Sequence, residues 1–156
     1  SQFANIGNPH NEIFDVHDVL TSLSLLYGST PQLHFEWNPV PQRVIIFADK
    51  TQVNRLFTNL LQNAVEAAAH RNPAVVKIWE ETEGSYIRIN IQDNGEGIAA
   101  DMLSKIFTPN FTTKTSGTGL GLAMCKSIVE NIQGEIGFQT ELGAGSTFYV
   151  RLPMFR

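Results

Sequence analysis

Apolar positions recur at two spacings along this chain, and the changes from one spacing to the other divide it into elements. Glu12–Val16 is a short strand candidate, and Asp15 can open a helix His17–Tyr27 in which Val19, Leu20, Leu23 and Leu26 recur at helical intervals. Gly28-Ser29-Thr30-Pro31 stops it. Leu33–Trp37 alternates, and Asn38-Pro39-Val40-Pro41 turns the chain into a second strand, Arg43–Phe47. The clearest helix follows an N-cap at Asp49: Val53, Leu56, Phe57, Leu60, Leu61, Ala64, Val65 and Ala68 form one apolar stripe, ended by Pro73. Val75–Glu81 and Tyr86–Gln92 alternate as strands around a loop containing Gly84, with Ile87, Ile89 and Ile91 on one face. Past Asp93 the alternation ends; Ala99–Ile106 predicts a short helix and Thr108–Thr118 a polar loop. Leu120–Ile132 predicts a third long helix with Leu122, Cys125, Ile128, Val129 and Ile132 inward and Gly134 as its cap. Two last strands, Glu135–Thr140 and Ser146–Leu152, flank the turn Leu142-Gly143-Ala144-Gly145. The fold class expected from this order is α+β: a two-layer α/β sandwich, its mixed sheet covered on one face by three helices.

Composition narrows the class. The chain has 156 residues, of which 42% are hydrophobic, enough for one domain with its own core and too apolar for a disordered segment. No apolar run approaches the roughly 20 residues of a membrane span, and no cationic-then-apolar leader opens the sequence. One cysteine, Cys125, excludes an internal disulfide and a cysteine-rich zinc site. A net charge of −4 argues against nucleic acid as a partner, which calls for a clustered basic face. The composition is that expected of a soluble, reduced, cytoplasmic domain without direct membrane contact. Ser1–Asn11, rich in turn signals and without periodicity, reads as a linker arriving from upstream.

Four polar constellations interrupt the apolar pattern. Asn59, Asn63 and Glu66 stand at i, i+4 and i+7 of the long helix, on one ridge flanking its stripe. A solvated face is the plainer account; against it, asparagine is a poor helix former, and its amide oxygen is a hard ligand suited to Mg²⁺. Asp93-Asn94-Gly95-Glu96-Gly97-Ile98 follows a strand directly. Asn-Gly is a hairpin signal, but no second strand follows, and a buried Asp beside glycines suits a nucleobase pocket in which the carboxylate accepts from an exocyclic amine. Gly117-Thr118-Gly119-Leu120-Gly121-Leu122 opens the third helix, where free N–H groups and the positive end of the helix dipole cradle phosphate, with Lys114 just upstream. It is neither a Rossmann fingerprint nor a Walker loop, since no strand precedes it and no Gly-Lys-Ser/Thr occurs. Gly143-Ala144-Gly145-Ser146-Thr147-Phe148 is by itself a glycine hairpin leading into the last strand.

In this order the four resemble the boxes of the Bergerat (GHKL) nucleotide-binding fold and, within it, the catalytic ATP-binding domain of sensor histidine kinases. Asn59–Ala64 resembles the N box, Asp93–Ile98 the G1 box, Ile106–Phe111 the F box, Gly117–Leu122 the G2 box and Gly143–Phe148 a G3 box. Phe3–Gly7 and Pro109–Lys114 are similar to the nitrogen-regulation (NtrB/NtrY-like) group. The resemblance implies that residues 12–156 form an ATP-binding catalytic domain and that 1–11 is the remnant of a linker from a missing dimerisation and phosphoacceptor domain. It implies ATP and Mg²⁺ as cofactors, with Asn63 as metal ligand, Asn59 nearby and Glu66 at the mouth. Asp93 would bind the adenine amine with Thr147 helping through water, while Gly95, Gly97 and Ile98 would let the ring lie against the backbone. Residues from Ile98 to Thr118 would form a lid, mobile without nucleotide, pinned by Phe107 and Phe111, with Lys114 on phosphate. Gly117, Thr118, Gly119, Leu120 and Gly121 would hinge it and hold the phosphates. Asn59, Asn63 and Lys114 would be the catalytic residues.

The implied partners are a phosphoacceptor histidine domain of the same parent protein and a downstream response regulator; whether that parent is anchored in the inner membrane stays open. His10, His17, His34 and His70 lie on no helical hairpin and read as structural or surface residues, so the phosphoacceptor would be elsewhere. The alternative is a stand-alone GHKL ATPase. Those enzymes carry Glu or Asp where this chain has Asn59, and an amide cannot take a proton from water.

Overall fold

The structure, a computed structural model, describes residues 10–109 and 121–156. Strand β1 (Asn11–Asp15) leads into helix α1 (Val16–Gly28), followed by β2 (Leu33–Asn38), β3 (Ile45–Asp49) and the long helix α2 (Lys50–Ala68). β4 (Ala74–Glu83) and β5 (Tyr86–Asp93) come next, then a 3₁₀ turn Ala100–Met102, helix α3 (Gly121–Asn131), β6 (Glu135–Glu141) and β7 (Gly145–Pro153). Five strands form one mixed sheet in the order β2-β4-β5-β7-β6, with β2 parallel to β4 and the other pairs antiparallel. β1 and β3 pair separately as an antiparallel ribbon. The core joins one sheet face to all three helices: Leu20 and Leu23 of α1, the stripe of α2, Met124, Cys125, Ile128 and Val129 of α3, and the isoleucines of β5. This is the sandwich that the sequence pattern predicts, with the ribbon added. Among the described residues, no helix is long and apolar enough to cross a membrane.

Both expected N-caps form. Asp15 accepts from the backbone N–H of His17, and Asp49 accepts from those of Thr51 and Gln52. Four local expectations need correction. Leu26 stands on the outer side of α1, 65% exposed. The Asn38–Pro41 stretch does not close a hairpin, because Val40 N–H donates to Glu80 and Val44 N–H to Asp15, which carries the chain from the sheet edge to the ribbon. Ala99–Ile106 forms only successive i→i−3 turns: Met102 to Ala99, Leu103 to Ala100, Lys105 to Met102. Only Ile106 of that segment is buried, too little apolar surface to hold a full helix. Finally, α3 ends through Gln133, which takes the left-handed conformation at φ 57°, while the Gly134 N–H bonds back to Val129 O. Gly134 is required for a different reason: a Cβ there would run into the carbonyl oxygen of Arg151.

Candidate functional site

Across the helix-facing side of the sheet, side chains form rows set by strand register. Glu80, Ile89, Val150 and Ile136 make one row; Ile78, Ile91, Phe148 and Phe138 make the next. The row after that begins with Val76 and turns polar: Asp93, Ser146, Thr140. Asp93 and Ser146 are each only 6% exposed. Asp93 Oδ1 accepts from the backbone N–H of Gly95 at 2.8 Å and of Ser146 at 3.4 Å. Ser146 Oγ and Thr140 Oγ1 share a hydrogen bond of 2.9 Å, and Thr140 Oγ1 also accepts from Ile98 N–H. Burial pushes the Asp93 carboxyl above its ordinary value, against the lowering effect of the two N–H donors. Among the described residues both bonds to this carboxylate fall on Oδ1, so Oδ2 is the oxygen left to accept from a ligand donor.

The segment after Asp93 is held open as a turn and not closed as a hairpin. Asn94 mimics a strand residue: its N–H bonds to Val75 O, its Oδ1 accepts from Val75 N–H, and its Nδ2 donates to Pro73 O. That anchors the chain to the start of β4 and leaves residues 95–98 to run beside the β6–β7 turn. There the two backbones touch. Gly97, at φ 79°, faces the carbonyl of Glu141 where a Cβ would stand, and Gly145, at φ 129°, faces that of Asp93. Gly95 packs on α2, its missing Cβ 2.6 Å from Ala67 O. The glycines expected to admit a flat ring therefore have their Cβ side filled by protein, and their requirement is close packing.

Helix α2 links the two ends of the site. Asn59 Oδ1 lies 2.9 Å from where a Cβ of Gly121 would be, so Gly121 is what lets the start of α3 approach this amide. Asn59 Nδ2 is spent on Arg55 O, which directs its carbonyl oxygen away from its own helix. Asn59, Asn63 and Ala67 follow one another at i, i+4 and i+8. The ridge thus runs about 12 Å from the α3 start to the Gly95 turn, at 1.5 Å per residue, with Asn63 half-buried midway. Glu66 is exposed, accepts from Gln62 Nε2 at 3.2 Å, and helps raise the Tyr27 phenol, which burial on α1 raises more.

Phe107 seats on the sheet, with ring centroids 5.9 Å from Phe138 and 6.4 Å from Phe148, themselves stacked at 5.5 Å. Thr147 is corrected. Its register partner is Gln92, and its Oγ1 accepts from Gln92 Nε2 on the sheet face turned away from Asp93. The hydroxyl beside Asp93 belongs to Ser146. Strand parity carried that signal, because Phe148, Val150 and Leu152 pointing inward require Ser146 inward and Thr147 outward. Thr140 and Arg71 are also absent from the sequence reading; Arg71 donates to the carbonyls of Asn94, Gly95 and Gly143. Phe111, Lys114, Gly117, Thr118, Gly119 and Leu120 lie outside the described residues.

All four histidines are described. His17 Nε2 lies 2.6 Å from Glu80 Oε1, His34 3.0 Å from Glu36, His70 3.3 Å from Glu96, and His10 N–H donates to Asp49.

The profile of the family described as "Histidine kinase-, DNA gyrase B-, and HSP90-like ATPase" matches residues 48–156. The chain is 42% identical over 109 residues to sensor histidine kinase ZraS of Escherichia coli (strain K12), covering 70% of this chain and 23% of that protein. It is 32% identical over 145 residues to sporulation kinase B of Bacillus subtilis (strain 168), covering 91% of this chain and 33% of that one. The chain therefore spans a quarter to a third of these curated relatives. The nucleotide-free catalytic domain of histidine kinase ThkA superposes with a TM-score of 0.82 at 28% identity, covering 93% of this chain and 96% of that domain.

Proposed function

The chain belongs to the histidine kinase-, DNA gyrase B-, and HSP90-like ATPase family, an ATP-binding fold, and from this premise we propose that it is the catalytic domain of a two-component sensor histidine kinase. In this reading it passes the γ-phosphoryl of Mg·ATP to a histidine on a separate domain of its parent protein, from which a response regulator is charged. The observation that carries the reading is the buried Asp93 carboxylate, one oxygen fixed by N–H donors and the other open to the amine of adenine. Ser146, in register with Asp93, replaces Thr147 as the hydroxyl beside the base.

The residues present fit Mg²⁺. The Asn59 amide oxygen, turned toward the start of α3, is a hard neutral ligand, and Asn63 one turn on would add another. Bound there, the ion would neutralise phosphate charge. Asn59 and Asn63 bind and orient; neither amide can take a proton from water or from a histidine. Lys114 and Gly117–Gly121 would hold the phosphates, and Phe107 would fix the F box against the sheet. No histidine of this chain is a candidate acceptor: His17 is engaged with Glu80 on a helix packed into the core, and the others lie on strand edges or loops.

The test is a pair of measurements on the purified chain. Calorimetric titration should show ATP binding in the presence of Mg²⁺. With radiolabelled ATP the chain alone should stay unlabelled and release only background phosphate. Adding a separately expressed phosphoacceptor domain of the same parent should yield an acid-labile, base-stable phosphohistidine on that domain. Rapid ATP turnover by the chain alone, abolished by Glu66→Ala, would establish the stand-alone ATPase instead.

A further inference from the structure

We propose that Arg71 is a positioning residue that sets the base selectivity of this site by fixing the orientation of the Asp93 carboxylate; the inference rests on the adenine reading above. Arg71 lies three residues beyond α2, half-buried, and its guanidinium closes three hydrogen bonds. Nε donates to Asn94 O at 2.9 Å; Nη2 donates to Gly95 O at 3.0 Å and to Gly143 O at 2.9 Å. The first is the informative one. Asn94 O and Gly95 N–H belong to the same peptide group, and in a trans peptide these two point in opposite directions. The N–H of that group donates to Asp93 Oδ1 at 2.8 Å. A relay therefore runs from the guanidinium through one rigid plane to the carboxylate. While Arg71 holds the carbonyl, the N–H cannot rotate off Oδ1, and Oδ2 stays the oxygen offered to a ligand.

Both ends of the relay are reinforced. A cationic donor polarises the peptide and strengthens the bond its N–H makes. The third bond ties the 94–95 turn to the β6–β7 turn, whose Gly143 N–H already donates to Glu96 O at 2.8 Å. The two turns bracket Asp93 and Ser146, so Arg71 fixes the frame as well as the carboxylate. Neither His70 nor Glu96, paired with each other at 3.3 Å, competes for the guanidinium.

A residue that merely stabilised the fold would change affinity for every nucleotide alike. A residue that orients Asp93 should change only recognition of the base. The experiment compares ATP with ITP, which keeps the triphosphate but carries an oxygen where adenine has its amine. Dissociation constants for both, with Mg²⁺, are measured by calorimetry on wild type, Arg71→Met and Arg71→Lys, at a temperature where melting curves show each folded.

Wild type should prefer ATP. In Arg71→Met, ATP affinity should fall about tenfold, the size of one charge-assisted hydrogen bond, with ITP affinity within twofold, so that the preference collapses. Arg71→Lys, which keeps the charge but not the fork, should fall between; should Arg71→Met not fold, Arg71→Lys is read against the same criterion. A wild-type preference carried intact through either folded variant, or an equal loss for both nucleotides, overturns the role of Arg71 and leaves the adenine reading standing. A wild type that binds ATP and ITP equally overturns both.

Discussion

Two carboxylates are buried on the same face of the same sheet, Glu80 and Asp93, and the fold treats them in opposite ways. The Glu80 side chain is fully buried, with His17 Nε2 at 2.6 Å and Val40 N–H at 3.0 Å on its Oε1, and His17 packs edge-on against Trp37. It ties α1 and the Val40 loop to β4. Asp93, two rows away, has no side-chain partner among the described residues, only backbone N–H donors, and they leave one oxygen unused. A carboxylate that meets its counter-group inside the protein is spent on structure. Both carboxylates take their donors on a single oxygen, and Glu80 Oε2 is sealed in the core without a partner among the described residues. What sets Asp93 apart is that it meets no side chain, only backbone N–H groups, and, raised by burial, holds unspent capacity for a ligand at some cost to the fold.

The comparison is broken most forcefully at Glu80. His17→Ala leaves a buried acceptor with one N–H donor and should cost about 3 kcal/mol, or roughly 6–12 °C in Tm for a domain of this size, with ATP affinity of the folded protein unchanged. Denaturant titration alongside nucleotide titration checks both halves. A fall in ATP affinity as large as that of an Asp93 variant would show that the two carboxylates are not separate in function.

Asp93→Asn should do the reverse. ATP binding should weaken roughly 10- to 150-fold, the equivalent of about 1.5–3 kcal/mol for a charge-assisted bond. The nucleotide-free protein at neutral pH should melt no lower than wild type, because the variant removes a charge that burial disfavours while keeping an oxygen for Gly95 N–H.

Acidification sharpens the same contrast with a smaller effect. The Asp93 carboxyl is raised in the fold, so its contribution to stability is fully present below its unfolded value and is lost as pH rises through the folded value. Melting temperatures of wild type and Asp93→Asn without nucleotide should therefore converge at low pH and separate as pH rises through the raised value, with wild type the lower. ATP affinity of wild type should move the other way, growing as the carboxylate ionises. A difference in melting temperature that is flat across that interval would mean that Asp93 is not held in a charge-disfavouring site.

The smallest effect belongs to a buried titratable group with neither role. Cys125, whose thiol burial pushes up to about 12, gives among the described residues a long contact to Leu56 O between α2 and α3. Cys125→Ala should cost about 1 kcal/mol and leave both ATP affinity and its pH dependence untouched.

Much of this was legible in the chain itself. The stripe of α2, the Asp15 and Asp49 caps and the alternation of β5 follow from local periodicity and cap chemistry, which act within a few residues and so are written in a few residues. Asp93, Asn59 and Gly121 stood out because each breaks a local rule: a charge at the end of an apolar strand, poor formers in a helix, glycine at a helix start. What the sequence could not decide is what lies opposite what. Ser146 and not Thr147 meets Asp93 because of the β5–β7 register. Gly95 and Gly97 are needed because Ala67 and Glu141 arrive from other elements to fill the space. Leu26 turns outward because α1 covers the sheet edge with its other side. Arg71 carries no local mark at all, since its three acceptors come from turns 23 to 72 residues away. Periodicity records which face a residue takes; only the meeting of distant backbones records which atoms face each other across the site.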